Sequence, residues 1–164
     1  SEREKKLNFQ LLLDTQKEMG FNLLLNQNIK IHKNNSTISL IGVENWGKGR
    51  FKKKGDIDKA SLGLIDSDFK IVMSHDPSHW EKVLIDHNTH FHLTLSGHTH
   101  GMQFGIEIPG WIKWSPVKWA YKYWAGIYNK KKQFLNVNRG FGVLGFPGRV
   151  GIYPEISVIR LKKS

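Results

Sequence analysis

The sequence predicts an α/β domain built on a mixed sheet, and three observations carry the prediction. After a first helix come short β-prone runs joined by turn residues; a strand–helix–strand succession occupies the middle; and 164 residues at 39% hydrophobic content suit one domain able to bury a core. No internal repeat or low-complexity linker interrupts the chain, so one domain spanning residues 1–164 is expected.

Over residues 3–19, Leu7, Leu11 and Leu12 recur between charged residues and Gly20 follows as a stop, which predicts an amphipathic helix. Leu23-Leu24-Leu25, Ile29-Lys30-Ile31 and residues 38–43 are short apolar runs, and Asn34-Asn35-Ser36 joins the last two with hairpin composition. Residues 56–64 read as a short helix capped by Asp56. Residues 69–74 are β-prone, Asp76-Pro77 supplies an N-cap and a first-turn proline, and Trp80, Val83 and Leu84 carry a helix to about Asn88. A second strand at 91–96 follows, which makes a βαβ unit with parallel strands. Beyond Gly101 the chain turns aromatic and glycine-punctuated, with strands expected at 125–128, 133–137 and 156–161.

The chain has no cysteine, so any metal must be held by His, Asp, Glu, Asn or backbone oxygen. A formal charge of +11 suits a polyanionic partner, although clusters such as Lys52-Lys53-Lys54, Lys130-Lys131-Lys132 and Lys162-Lys163 also suit a solvated surface. No apolar run approaches the roughly 20 residues that span a bilayer, and none resembles a signal peptide. The chain opens on Ser1 in the start of a helix, which reads as a truncation.

The two strands of the βαβ unit end in His75 and in Gly97-His98-Thr99-His100-Gly101. Ligands of open α/β sheets bind beyond the carboxyl ends of parallel strands, so three imidazoles are expected on one edge. His98 and His100 point the same way if the backbone between them stays extended. Neutral imidazole is the commonest protein ligand of first-row divalent metals. His32, His79, His87, His90 and His92 lack this placement and are read as structural.

Gly97-His98-Thr99-His100-Gly101, the strand-closing His75 and the later Val137-Asn138-Arg139-Gly140-Phe141-Gly142 resemble the last motifs of calcineurin-like metallophosphoesterases, a similarity running from about residue 37 to the end. The resemblance implies the carboxy-terminal part of a four-layer α/β sandwich with two divalent metals (Mn, Zn or Fe) at the strand ends, zero or one of them held by this chain alone. It assigns His75 and His98 to one metal and His100 to the other, and implies attack on phosphorus by metal-activated water. Glu44-Asn45-Trp46-Gly47 reads as a pocket rim, and Asn45, Trp46 and Arg139 are the candidate substrate-binding residues.

The family's earlier motifs, Asp-x-His, Gly-Asp-x-x-Asp and Gly-Asn-His-Asp/Glu, are absent; Gly55-Asp56-Ile57-Asp58 fails because Lys59 stands where the second aspartate is needed. No catalytic general acid is therefore assigned, and the chain alone is expected to be inactive. The stretch from Trp111 to Trp124 holds four of the six tryptophans interleaved with three lysines. It suits an anionic membrane surface or a lipid-phosphate substrate, single-stranded nucleic acid, or simply a helix covering the core. No specific nucleic-acid motif is present. A homodimer, or an amino-terminal helix laying Leu7, Leu11 and Leu12 across the gap, is expected to cover the truncated face. The competing reading is an inactive basic module, binding nucleic acid or anionic membrane, with at most one structural metal.

Overall fold

A computed structural model describes residues 1–47 and 52–162; Lys163 of the last lysine cluster lies outside them. Helix α1 (Glu2–Glu18) begins in a capping box between Ser1 and Glu4 and ends before Gly20, whose φ of 86° suits a residue without Cβ. None of its residues is buried. Leu7, Leu11 and Leu12 are exposed, so the expectation that this helix covers an open face is corrected: its apolar stripe packs on nothing among the described residues.

Strands β1 (Gln27–Lys33) and β2 (Ser36–Gly42) form the expected hairpin, with Asn34 at φ 52° in its turn. Leu24 belongs to no strand. The short helix α2 (Ile57–Ala60) is capped by Asp56, whose carboxylate accepts the Lys59 amide at 2.9 Å. Strands β3 (Phe69–Met73), β4 (Leu93–Ser96), β7 (Gly126–Lys130) and β8 (Gln133–Val137) complete a six-stranded sheet in the order β1-β2-β3-β4-β8-β7. Pairs β2–β3, β3–β4 and β4–β8 are parallel, and the two outer pairs are antiparallel hairpins, so the sheet is mixed.

The connection from β3 to β4 holds less helix than its sequence predicts. Helix α3 (Ser78–Lys82) stops when Val83 leaves helical geometry, and one tighter turn, Leu84–Asp86, follows. That break lets the adjacent residues Leu84 and Ile85 both reach the core, which a continuous helix with its 100° step does not favour. The cap also moves by one residue: Pro77 is the N-cap, and Asp76 accepts the Ser78 amide at 2.7 Å.

One face of the sheet is dry. Ile41, Val72, Leu135 and Val137 pack there against Ile57, Ala60, Trp80, Leu84, Ile85 and Phe91. The other face, carrying Leu40, Ile71, Met73 and Leu95, is only half-buried. Residues 156–161 were expected to form a strand. They form no regular element and pair with no strand among the described residues, and Ile156, Val158, Ile159 and Leu161 stay exposed.

A second lobe follows β4: a small hairpin of β5 (Ile106–Ile108) and β6 (Ile112–Trp114), a 3-10 turn at Pro116–Trp119, and the loop 139–152. Its own core is Val117, Trp124, Ala125 and Ile152. The aromatic stretch is therefore a strand and a tight turn rather than a covering helix. No helix of the described residues is long and apolar enough to cross a membrane.

Candidate metal centre at the ends of β3 and β4

Because β3 and β4 are parallel neighbours, the residues leaving their carboxyl ends meet. Ser74 and Gly97 continue the pairing, donating their amides to Leu95 and His75 carbonyls. His75 and His98 are thereby brought together: Nε2 of His75 lies 3.2 Å from Nδ1 of His98, with the rings edge to face. Two nitrogens bound to one tetrahedral ion at roughly 2.0–2.1 Å stand about 3.3 Å apart, so the spacing of this pair fits a shared divalent metal.

His100 arrives differently from expectation. His98 and His100 have φ of 68° and 50°, and the left-handed run continues through Gly101, Met102 and Gln103. The backbone is coiled, not extended, so the two rings are not side by side by alternation. The Nδ1 atom of His100 is buried without a hydrogen-bond partner, and its ring is close enough to act electrostatically on His75. Crowding by protein atoms, then the neighbouring His98, hold the His75 imidazole below its ordinary pKa, although its outer edge meets solvent. That keeps the ring in the neutral form that can donate a lone pair. Among the described residues no three His, Asp or Glu side chains converge as a complete metal cluster.

Two residues that sequence reasoning missed complete the surroundings. The Tyr121 hydroxyl lies 2.7 Å from Nε2 of His98 and donates to Oδ2 of Asp76 at 3.3 Å. Asp76 is buried, and its Oδ2 is also 3.8 Å from Nε2 of His98. Burial and the Asp76 charge push the Tyr121 phenol up to about 12, so it keeps its proton. With that single hydrogen drawn to the carboxylate, His98 donates Nε2–H to the tyrosine oxygen. The lone pair is then left on Nδ1, facing His75.

The candidate substrate residues fare unequally. Asn45 donates its side-chain amide weakly to the Lys52 carbonyl at 3.5 Å, and its own carbonyl accepts from Lys54 and Gly55. Trp46 stacks on His79, ring centroids 4.7 Å apart, and does not meet the His75–His98 pair. Gly47, next in this loop, lies against Asp76 so closely that a Cβ would sit 2.7 Å from Oδ2. Arg139 is held by Glu107 and, at 2.7 Å through Nε, by Glu155. Its guanidinium braces the lobe, and both of its described side-chain partners are carboxylates of that lobe. Beside His75, a cavity of about 450 Å³ opens on the half-buried sheet face, lined by Met73, Leu95, Gly97, Asn136, Asn138 and Ile159 among others.

No family model matches the chain, and no solved structure matches it. Curated relatives do. The uncharacterized metallophosphoesterase YkuE of Bacillus subtilis is 35% identical over 101 residues, covering 62% of this chain and 34% of that protein. The uncharacterized metallophosphoesterase YkoQ of the same organism is 24% identical over 161 residues (93% and 54%). The phosphodiesterase YaeI of Escherichia coli is 27% identical over 151 residues (92% and 51%). The chain spans about half, or less, of the length of these relatives. The names of these relatives support the calcineurin-like metallophosphoesterase superfamily for this chain, and the paired imidazoles at the strand ends agree with that likeness.

Proposed function

We propose that this chain supplies one side of the active site of a dinuclear metal-dependent phosphohydrolase acting on phosphate mono- or diesters or pyrophosphates, as the carboxy-terminal portion of a metallophosphoesterase domain. The observation that carries the reading is the 3.2 Å approach of His75 Nε2 to His98 Nδ1 at the ends of parallel strands. These two residues hold one divalent ion, and the buried, unpartnered Nδ1 of His100 is the chain's donor to the second. Metal bound there supplies Lewis-acid polarisation of phosphoryl oxygen and activates water for attack on phosphorus. Asp76 and Tyr121 orient His98 and fix its tautomer. The carboxylates and the general acid that complete such a site come from polypeptide beyond this chain. The same polypeptide packs on the half-buried face of the sheet to make the four-layer sandwich; alone, the chain covers that face by pairing with a second copy. A lipid-linked or membrane-surface phosphoester is the substrate class that the aromatic, basic lobe beside the imidazoles favours.

The test is binding and turnover together. The chain should bind Mn2+ or Zn2+ by titration calorimetry, His75→Ala should abolish that binding, and bis-nitrophenyl phosphate should be hydrolysed only at background rates. A longer natural polypeptide carrying the missing motifs should turn it over in the presence of metal. Failure of the chain to bind metal, with no turnover by the longer polypeptide, overturns the proposal. The second reading, an inactive basic module with at most one ion, draws on the absence of a complete three-ligand cluster among the described residues; metal binding without turnover by the longer polypeptide would select it.

A further inference from the structure

The β5–β6 hairpin is built with its polarity reversed. In a two-stranded ribbon lying on a protein, alternation ordinarily turns apolar side chains to the core and polar ones to water. Here the side turned to the body carries Glu107, half-buried and paired with Arg139, and Lys113, exposed as a residue but with its Nζ reaching back to donate to the Ala125 carbonyl at 2.7 Å. The cross-strand pairs Ile106–Trp114 and Ile108–Ile112 share the opposite face, and the three isoleucines are exposed. At the tip Trp111 is 81% exposed, and Trp119, 76% exposed, sets its ring edge-on to Trp114.

The apolar surface does not end with the ribbon. Val150 bridges to Phe104, Gly105 donates its amide to the Val150 carbonyl at 2.9 Å, and buried Gln103 donates to the carbonyls of Phe146 and Gly148 at 2.6 and 2.7 Å. These bonds hold the loop 141–150 against residues 103–105, which lead into the hairpin, while Phe141, Leu144 and Phe146 face solvent. With their backbone satisfied, these side chains add to the exposed apolar residues of the hairpin.

Charge narrows the occupant. Segments 98–124 and 139–155 carry Lys113, Lys118, Lys122, Arg139 and Arg149 against two carboxylates, Glu107 and Glu155, both of which Arg139 engages. Lys118, beside Trp119, is exposed. Tryptophan and lysine among exposed apolar residues, with both carboxylates engaged by Arg139, match the headgroup zone of an anionic bilayer better than a polar protein surface. The lobe is also tied to the imidazole turn: Thr99 Oγ1 donates to the Trp124 carbonyl at 2.7 Å, Ser115 Oγ to the Gly101 carbonyl at 2.8 Å, and Arg149 to the His100 carbonyl at 3.2 Å.

We propose that the outward face of the β5–β6 hairpin and the loop 141–150 form a docking surface for anionic lipid bilayers. For its purpose, bringing the imidazoles to headgroup phosphates, it rests on the phosphohydrolase reading; the docking itself needs neither metal nor turnover. The test is co-sedimentation of the metal-free protein with vesicles of phosphatidylcholine alone and of phosphatidylcholine with 30% phosphatidylglycerol, with tryptophan emission as a second readout. The expected result is binding to the anionic vesicles, a blue shift in emission, and weakening by added salt. Ile108→Ser with Trp111→Ser should weaken binding by at least about tenfold, while Leu7→Ser with Leu11→Ser in α1 should leave it unchanged. All four positions are exposed, so circular dichroism should report a native fold for both variants. Absence of binding, equal binding to both vesicle types, loss of binding in the α1 variant, or light scattering showing that the same face joins two copies would each overturn the proposal. Hydrolysis of a soluble diester by a complete polypeptide is untouched by the hairpin variant if docking and chemistry are separate.

Discussion

The Tyr121 hydroxyl stands 2.7 Å from Nε2 of His98, linking the aromatic lobe to the strand-end imidazole pair. Tyr121→Phe removes that hydroxyl and frees the ring to rotate or change tautomer. Metal affinity measured by titration calorimetry should fall by about tenfold or more, while the thermal midpoint moves little. An unchanged affinity would show that Tyr121 only fills space.

Burial pushes the His79 imidazole down to about 4. The ring is fully enclosed, within 2.9 Å of Ser74 Oγ and stacked on Trp46. The unfolded chain regains the ordinary value of 6.5, so between about pH 6.5 and 4 it binds more protons than the folded chain. Stability is therefore full above pH 6.5 and is lost as pH falls through that window. The loss should reach about 2 kcal/mol between pH 7 and pH 5, read from urea midpoints. His79→Gln should flatten that slope.

Arg139 lies between Glu107 and Glu155, and all three side chains are largely shielded from water. Arg139→Ala leaves two carboxylates facing each other without their cation, and should cost about 3 kcal/mol. Arg139→Met combined with Glu107→Gln and Glu155→Gln should recover most of it. If instead Arg139 binds substrate, the single variant will keep its stability and raise KM in a complete enzyme.

Deleting residues 1–18 should change stability by less than about 1 kcal/mol, since α1 buries no residue and a described contact with the body is the exposed pairing of Phe9 with Lys54 Nζ at 4.7 Å. A large drop in the urea midpoint would show that the helix packs on the domain in solution.

The sheet was legible where local pattern and topology agree. The β1–β2 hairpin follows from alternation and an Asn-Asn turn, and β3 and β4 from apolar runs that end in His75 and at the glycine before His98. The meeting of those two histidines needs only parallel neighbours. What followed the second strand was not legible. An extended His98-Thr99-His100 was the natural assumption, but left-handed residues coil it, and nothing in a Gly-His-Thr-His-Gly string announces that φ. Tyr121 escaped notice because it comes to His98 from 23 residues away, through a stretch whose aromatic residues show no helical or strand period. Asp76 was read as a helix cap, which it partly is through Ser78; its second oxygen, turned to Tyr121, is a matter of tertiary packing. Residues 156–161 are rich in β-branched residues, yet a strand needs a neighbour, and sequence pattern alone does not supply one.

The left-handed conformation of His98 and His100 also decides how these positions can be probed by replacement. At φ of 68° and 50° a Cβ crowds the backbone, and asparagine and glycine tolerate that geometry better than alanine or any β-branched residue. Histidine already bears that Cβ, so an alanine exchange keeps the crowding and loses both the imidazole and a polar side chain's preference for this geometry, and the two losses arrive in one measurement. Asparagine keeps the main chain where it is and deletes only the ring. A library that tolerates asparagine and glycine but rejects alanine at position 98 would be reporting backbone shape, whereas one that rejects all three would be reporting the imidazole itself.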